Sequence, residues 1–157
     1  MRRALFMAIT VIVAACSEPV AMIPGGALGG TSAAPPADWA MLNDIKTIQL
    51  EVRPSAPYSV NIWAVGMGAN LYVATGADGT RWSPMIEQDA RVRARIDGKL
   101  YDLRAERVTD PAEIQRVADT YATKYELDAQ ENWVPTGIIF RLERRTHPAP
   151  SEQARDN

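Results

Sequence analysis

The chain has 157 residues, with 17 Lys+Arg against 19 Asp+Glu, one cysteine and one histidine. A lone cysteine excludes a disulfide within the chain, and a net charge of −2 argues against nucleic acid as the main partner. In chain order, Arg2 and Arg3 precede an apolar run from Ala4 to Ala15 that only Thr10 interrupts. That run is too short to span a bilayer as a helix and fits the apolar region of a secretory signal.

The run closes in "VAAC", and small residues directly before Cys16 resemble the lipobox of bacterial lipoproteins. The resemblance implies removal of residues 1–15, a diacylglycerol thioether on Cys16, acylation of the new amino terminus and a place in the cell envelope. Ser17 rather than aspartate follows the cysteine, which in such lipoproteins favours the outer membrane of a Gram-negative cell. Losing Arg2 and Arg3 leaves 15 basic against 19 acidic residues, a net charge near −4. That balance also disfavours an acidic lipid surface as the main partner.

Residues 16–37 are rich in Pro, Gly, Ala and Ser and are expected to form a flexible tether of about 25 Å. Residues 146–157 form an expected disordered tail, and His147 within it has nothing to orient it for catalysis or metal binding.

Residues 38–145 remain for one domain. Asp38 caps a short expected helix with Trp39, Leu42 and Ile45 on one side. Alternation of Ile48, Leu50 and Val52 predicts a strand closed by Pro54. "YSVNIWAVGM" and "NLYVATG" predict a hairpin turning at Gly66 to Asn70, and Asp97-Gly98 predicts a second one. Arg91, Arg93 and Arg95 share one face of that second hairpin, where a solvated face is expected. Thr109, Asp110 and Pro111 start a helix that carries Ile114, Val117, Ala118, Tyr121 and Tyr125 on one side, and "GIIFRLERR" is the last strand. The expected fold is mainly β within the α+β class: about six antiparallel strands in a closed or partly closed barrel, with two or three peripheral helices.

The hairpin "VNIWAVGMGANLYVAT", the loop "GADGTRW", the short helix "SPMIEQDA" and the later strands resemble the split β-barrel of the pyridoxamine 5′-phosphate oxidase and deazaflavin-dependent nitroreductase superfamily. Trp63, the Arg81-Trp82 pair and the Lys124-Tyr125 pair are similar to an uncharacterised group within it. The resemblance implies a homodimer with FMN or F420 at its interface and the cofactor phosphate against the loop after the third strand. By position Thr75, Thr80 and Arg81 match phosphate-contacting residues. Trp82 stands where a second basic residue is common, and Asn61, Trp63 and Gly66 stand on the strand where the flavoproteins carry arginine and lysine. From the residues alone, Arg81 serves either a phosphate, a pairing with Asp78 or a cover for Trp82. Trp63 and Trp82 serve either packing or the wall of a cofactor pocket. Lys124 and Tyr125 suit the close of a helix, where lysine complements the dipole.

Two functions follow from this reading. One is an envelope lipoprotein whose barrel binds a small ligand or a protein without catalysis. The alternative is an FMN- or F420-dependent oxidoreductase, in which the cofactor carries the hydride and needs neither His nor Cys.

Overall fold

Alternating apolar residues build most of the sheet, and their register explains how it closes. The structure is a computed structural model describing residues 23–145. The signal region, Cys16 and the tail with His147 lie outside the described residues.

The strands are β1 (Thr31–Ala33), β2 (Ile48–Val52), β3 (Tyr58–Ile62), β4 (Ala64–Met67), β5 (Asn70–Thr75), β6 (Arg91–Ile96), β7 (Lys99–Arg107) and β8 (Ile138–Arg144). Helices α1 (Ser83–Gln88) and α2 (Pro111–Tyr125) and two 3₁₀ turns, Ala40–Asp44 and Val134–Thr136, complete the elements. The sheet runs β3-β2-β6-β7-β8-β5-β4 with antiparallel neighbours, and β1 adds in parallel to β7. Asp97 (φ 49°) and Gly98 (φ 75°) make the expected two-residue turn between β6 and β7.

The segment expected to be one strand, residues 58–67, is two. β3 pairs with β2 at one end of the sheet and β4 with β5 at the other, and only Trp63 lies between them. Covalent continuity at Trp63 therefore brings the two sheet ends together and curls the sheet into a split barrel. This split and the addition of β1 raise the strand count from the expected six to eight.

The interior is filled by Leu50, Val52, Leu71, Leu103, Phe140 and Leu142, each no more than 1 % exposed, under a lid formed by Trp39 and Leu42. A second apolar layer lies outside the barrel, where Val117, Ala118 and Tyr121 of α2 cover Val65, Tyr72 and Ile139. β5 consequently has both faces buried from Leu71 to Thr75.

Two expectations are corrected. Much of the expected tether is docked: Gly25 and Ser59 exchange both backbone hydrogen bonds at 2.9 Å, Leu28 is buried, and Thr31 donates to the Gly98 carbonyl at 2.9 Å. The physical cause is a vacant stretch of sheet edge, because β8 pairs only with Leu103–Arg107 of β7 and leaves Lys99–Tyr101 to β1. The arginine face of β6 is not wholly solvated either. Arg93 holds the fully buried Glu51 through two bonds of 2.8 and 2.7 Å, and Glu51 also accepts from the Leu28 N–H at 2.6 Å. A carboxylate on a buried strand position demanded such a partner.

Candidate functional site: two clefts flanking the barrel closure

After Thr75 the chain reverses through Gly76–Gly79, with the Gly79 N–H donating to the Gly76 carbonyl at 2.9 Å and Gly79 at φ 71°. The next residues satisfy one another. The Thr80 N–H donates to Ser83 Oγ at 3.1 Å, and the Ser83 hydroxyl donates back to the Thr80 carbonyl at 2.9 Å. Trp82 is buried against Phe140, ring centroids 5.8 Å apart, and belongs to the barrel core. The guanidinium of Arg81 lies over the Tyr58 ring, 5.2 Å from its centroid, a partner that sequence spacing did not suggest.

Thr80, Arg81 and Trp82 are brought together at a cleft of about 260 Å³, bordered by Tyr58 and Asn61 with Ile23 and Pro24 as its far wall. Thr75 is not part of it, being buried in register with Ile138. On the other side of Thr80 lies a cleft of about 290 Å³, where Asp78 and Glu87 place two carboxylates on the rim.

Gly66 of β4 has no room for a side chain. A Cβ there would lie 2.6 Å from the Trp39 Cβ and closer still to the Trp39 carbonyl. Trp39 is fixed in place by its N–H on the Gly68 carbonyl at 2.8 Å and its indole N–H on the Ala69 carbonyl at 3.2 Å.

Trp63 lines a separate cleft of about 310 Å³ with Asp44, Lys46, Lys124, Tyr125 and Glu126. Its ring stacks on Tyr125 with centroids 4.3 Å apart and planes 7° apart. Trp63 lies outside the ladder and Ala64 sits on β4, the end strand of the sheet, so polar groups of both need partners beyond the ladder. α2 supplies them from one face. Tyr121 Oη donates to the Trp63 carbonyl at 3.0 Å, and Lys124 Nζ donates to the Ala64 carbonyl at 2.7 Å. The Tyr125 hydroxyl accepts from the Ala64 N–H at 2.9 Å and has the Ala64 and Lys46 carbonyls within 2.9 and 3.0 Å for its own proton. Burial pulls the Lys124 ammonium below its ordinary pKa, while Asp44 opposes the shift. Lys124 and Tyr125 do more than close a helix, and their spacing from Tyr121, three and four residues on, is the sequence signal for that shared face.

Among the described residues no cluster of His, Cys, Asp and Glu could hold a metal ion, and no helix is long and apolar enough to cross a membrane.

No protein-family model matches the chain, and no curated protein matches it. Solved structures do. A conserved hypothetical protein from Mycobacterium tuberculosis shares 20 % identity over 67 % of this chain and 76 % of its own, with a TM-score of 0.55. A putative pyridoxamine 5′-phosphate oxidase from Listeria innocua shares 12 % over 68 % and 90 %, TM-score 0.53. The heme storage protein of Vibrio cholerae shares 15 % over 66 % and 84 %, TM-score 0.54. These identities establish the fold, a split barrel of the pyridoxamine 5′-phosphate oxidase type, and nothing beyond the fold.

Proposed function

We propose that this split barrel is an envelope protein, anchored through acylated Cys16 in the outer membrane of a Gram-negative cell, that binds a small ligand or a partner protein without flavin chemistry. The observation that carries the reading is Gly66 sealed beneath Trp39, in the β3–β4 segment that matches the strand where the resembling flavoproteins carry cations. Of the three residues on that segment, Gly66 in β4 has no space for a side chain, Trp63 at the bend stacks in another cleft, and Asn61 in β3 is uncharged. A flavin or deazaflavin phosphate needs convergent donors in number. Among the described residues Arg81 is the one cation of its cleft, the Thr80 N–H is spent on Ser83, and Thr75 is buried, which leaves a guanidinium for a single surface contact but too few donors to hold a whole cofactor by its phosphate, so the residues present do not fit the group. That one structural neighbour is a heme storage protein supports a binding role on this architecture. The cleft beside Trp63 is the better candidate for a small ligand, having stacked rings, two ammonium groups and a volume in the range of small-molecule pockets.

Fluorescence titration of the mature chain with FMN and with F420, beside Arg81→Ala, tests this. No saturable binding below about 100 μM is expected, whereas micromolar binding lost in the variant would restore the oxidoreductase reading. Thr80 and Arg81 sharing a cleft is what favours that second reading. Labelled palmitate should enter the wild-type chain and not Cys16→Ser. The homodimer that the resemblance implies belongs to the same proposal and is read from the mass by light scattering.

A further inference from the structure

We infer that the cleft bearing Arg81 faces the bilayer and takes the phosphate of a phospholipid headgroup. The inference rests on the proposed anchor at Cys16 and on where the described chain begins. Gly25 is pinned to Ser59 by two backbone bonds of 2.9 Å, and Tyr58, the next residue of β3, floors the cleft. Cys16 lies nine residues before Gly25. Nine residues reach at most about 32 Å even when fully extended. A domain of this size is about 35 Å across, so presenting its opposite face would require the chain to run about 50 Å around it. The tether is too short for that, so the face opposite Gly25 is kept from the membrane and the side carrying Gly25 is the one within easiest reach of it.

The same side has the chemistry of a headgroup contact. Ile23 is 69 % exposed at the cleft edge, the strongest exposure among the large apolar residues described. Beside it Arg81, exposed at its tip, rests on the half-buried Tyr58 ring, and the exposed Thr80 adds a hydroxyl. An apolar side chain, an aromatic platform and a guanidinium fork suit the boundary between acyl chain and phosphate. The mature chain's net charge near −4 gives no general attraction to an acidic surface, so the contact is local and should form on zwitterionic lipid.

Because Cys16 is the only cysteine, coupling the mature chain through it to a maleimide-headgroup lipid places the protein on vesicles without relying on acylation in the cell. Failure of the natural anchor and failure of the orientation are then separately visible. The readout is the rate of phenylglyoxal modification at Arg81, with exposed Arg116 on α2 as internal reference. On phosphatidylcholine vesicles Arg81 should react about tenfold more slowly than in the thiol-capped chain in solution, with Arg116 unchanged. Equal reaction of Arg81 in both settings, or protection of Arg116 instead, would overturn the orientation. Equal protection by 10 mM inorganic phosphate in solution would make this a free-phosphate site. Equal protection on vesicles of galactosyl diacylglycerol, which lack phosphate, would remove the headgroup contact.

Discussion

Gly66 and Glu51 show how single residues set what the barrel can do. At Gly66 the barrier is steric: any side chain meets the Trp39 backbone, which two hydrogen bonds hold in place. Gly66→Ala should therefore cost about 1–3 kcal/mol by overpacking, read as a lower urea midpoint at unchanged slope. A variant as stable as wild type would mean that Trp39 can move aside and that the strand could accept a cation after all. At Glu51 the barrier is electrostatic. Its carboxylate is fully buried and satisfied by Arg93 and by the Leu28 N–H. Glu51→Ala should cost about 3 kcal/mol, the lower end for a broken buried pair, because Arg93 keeps 24 % exposure and regains some water. Glu51 was invisible in the alternation of β2, where it reads as an outward polar residue. Its carboxylate is met by the Leu28 N–H from the docked N-terminal segment, a long-range event that a period of two cannot encode.

At the scale of elements, α2 is both cover and latch. Its start was legible: Asp110 accepts from the Glu113 N–H at 2.9 Å, as Thr-Asp-Pro predicts. Its far end was not, since the partners of Tyr121, Lys124 and Tyr125 are backbone groups about 60 residues away at Trp63 and Ala64. Tyr125→Phe leaves the Ala64 N–H without its acceptor and should cost about 1–3 kcal/mol, with amide exchange at residues 62–65 accelerating. Unchanged exchange there would show that the latch does not hold the bend. The first turn of α2 is tied down by charge. Glu113 receives two bonds of 2.8 Å from Arg141 Nη1 and one of 2.9 Å from the Tyr72 hydroxyl. Burial alone would raise the Glu113 pKa, but the Arg141 and Tyr72 bonds and the Arg141 charge bring it below its ordinary value of 4.5. A carboxylate depressed in the folded state stabilises above its unfolded pKa, and that contribution fades as pH falls through the folded value. Stability should thus drop below about pH 4.5, and Glu113→Gln, though weaker at neutral pH, should show a shallower acid limb in urea melts at pH 6 and pH 3.5. Parallel limbs would assign the acid sensitivity to other carboxylates.

Across the whole molecule, barrel closure and the docked N-terminal segment decide where the domain begins. Local signals gave the barrel: the Asp97-Gly98 turn, the alternation in β2 and β6, and the apolar face of α2 all point to the observed packing. They could not give its seam. Trp63 sits inside a continuous strand-like run, and the break there follows from the sheet curling back on itself, a global constraint. Composition likewise misassigned residues 25–37, because Pro, Gly and Ala are poor at filling a core but are no hindrance to pairing with an open edge. If this edge pairing is part of the cooperative fold, a chain beginning at Asp38 must lose more than a linker. It exposes Lys99–Tyr101 of β7, uncovers Glu51 and gives up the burial of Leu28, which alone is worth about 2 kcal/mol. Such a chain should unfold several degrees below one beginning at Ile23 and show concentration-dependent aggregation through the bared edge, measured by thermal melts and light scattering at two protein concentrations. Identical melting of the two chains would return residues 23–37 to the tether. The bilayer-facing orientation argued from their docking would then lose its geometric basis, because a tether running from Cys16 to Asp38 is long enough to let any face of the barrel meet the membrane.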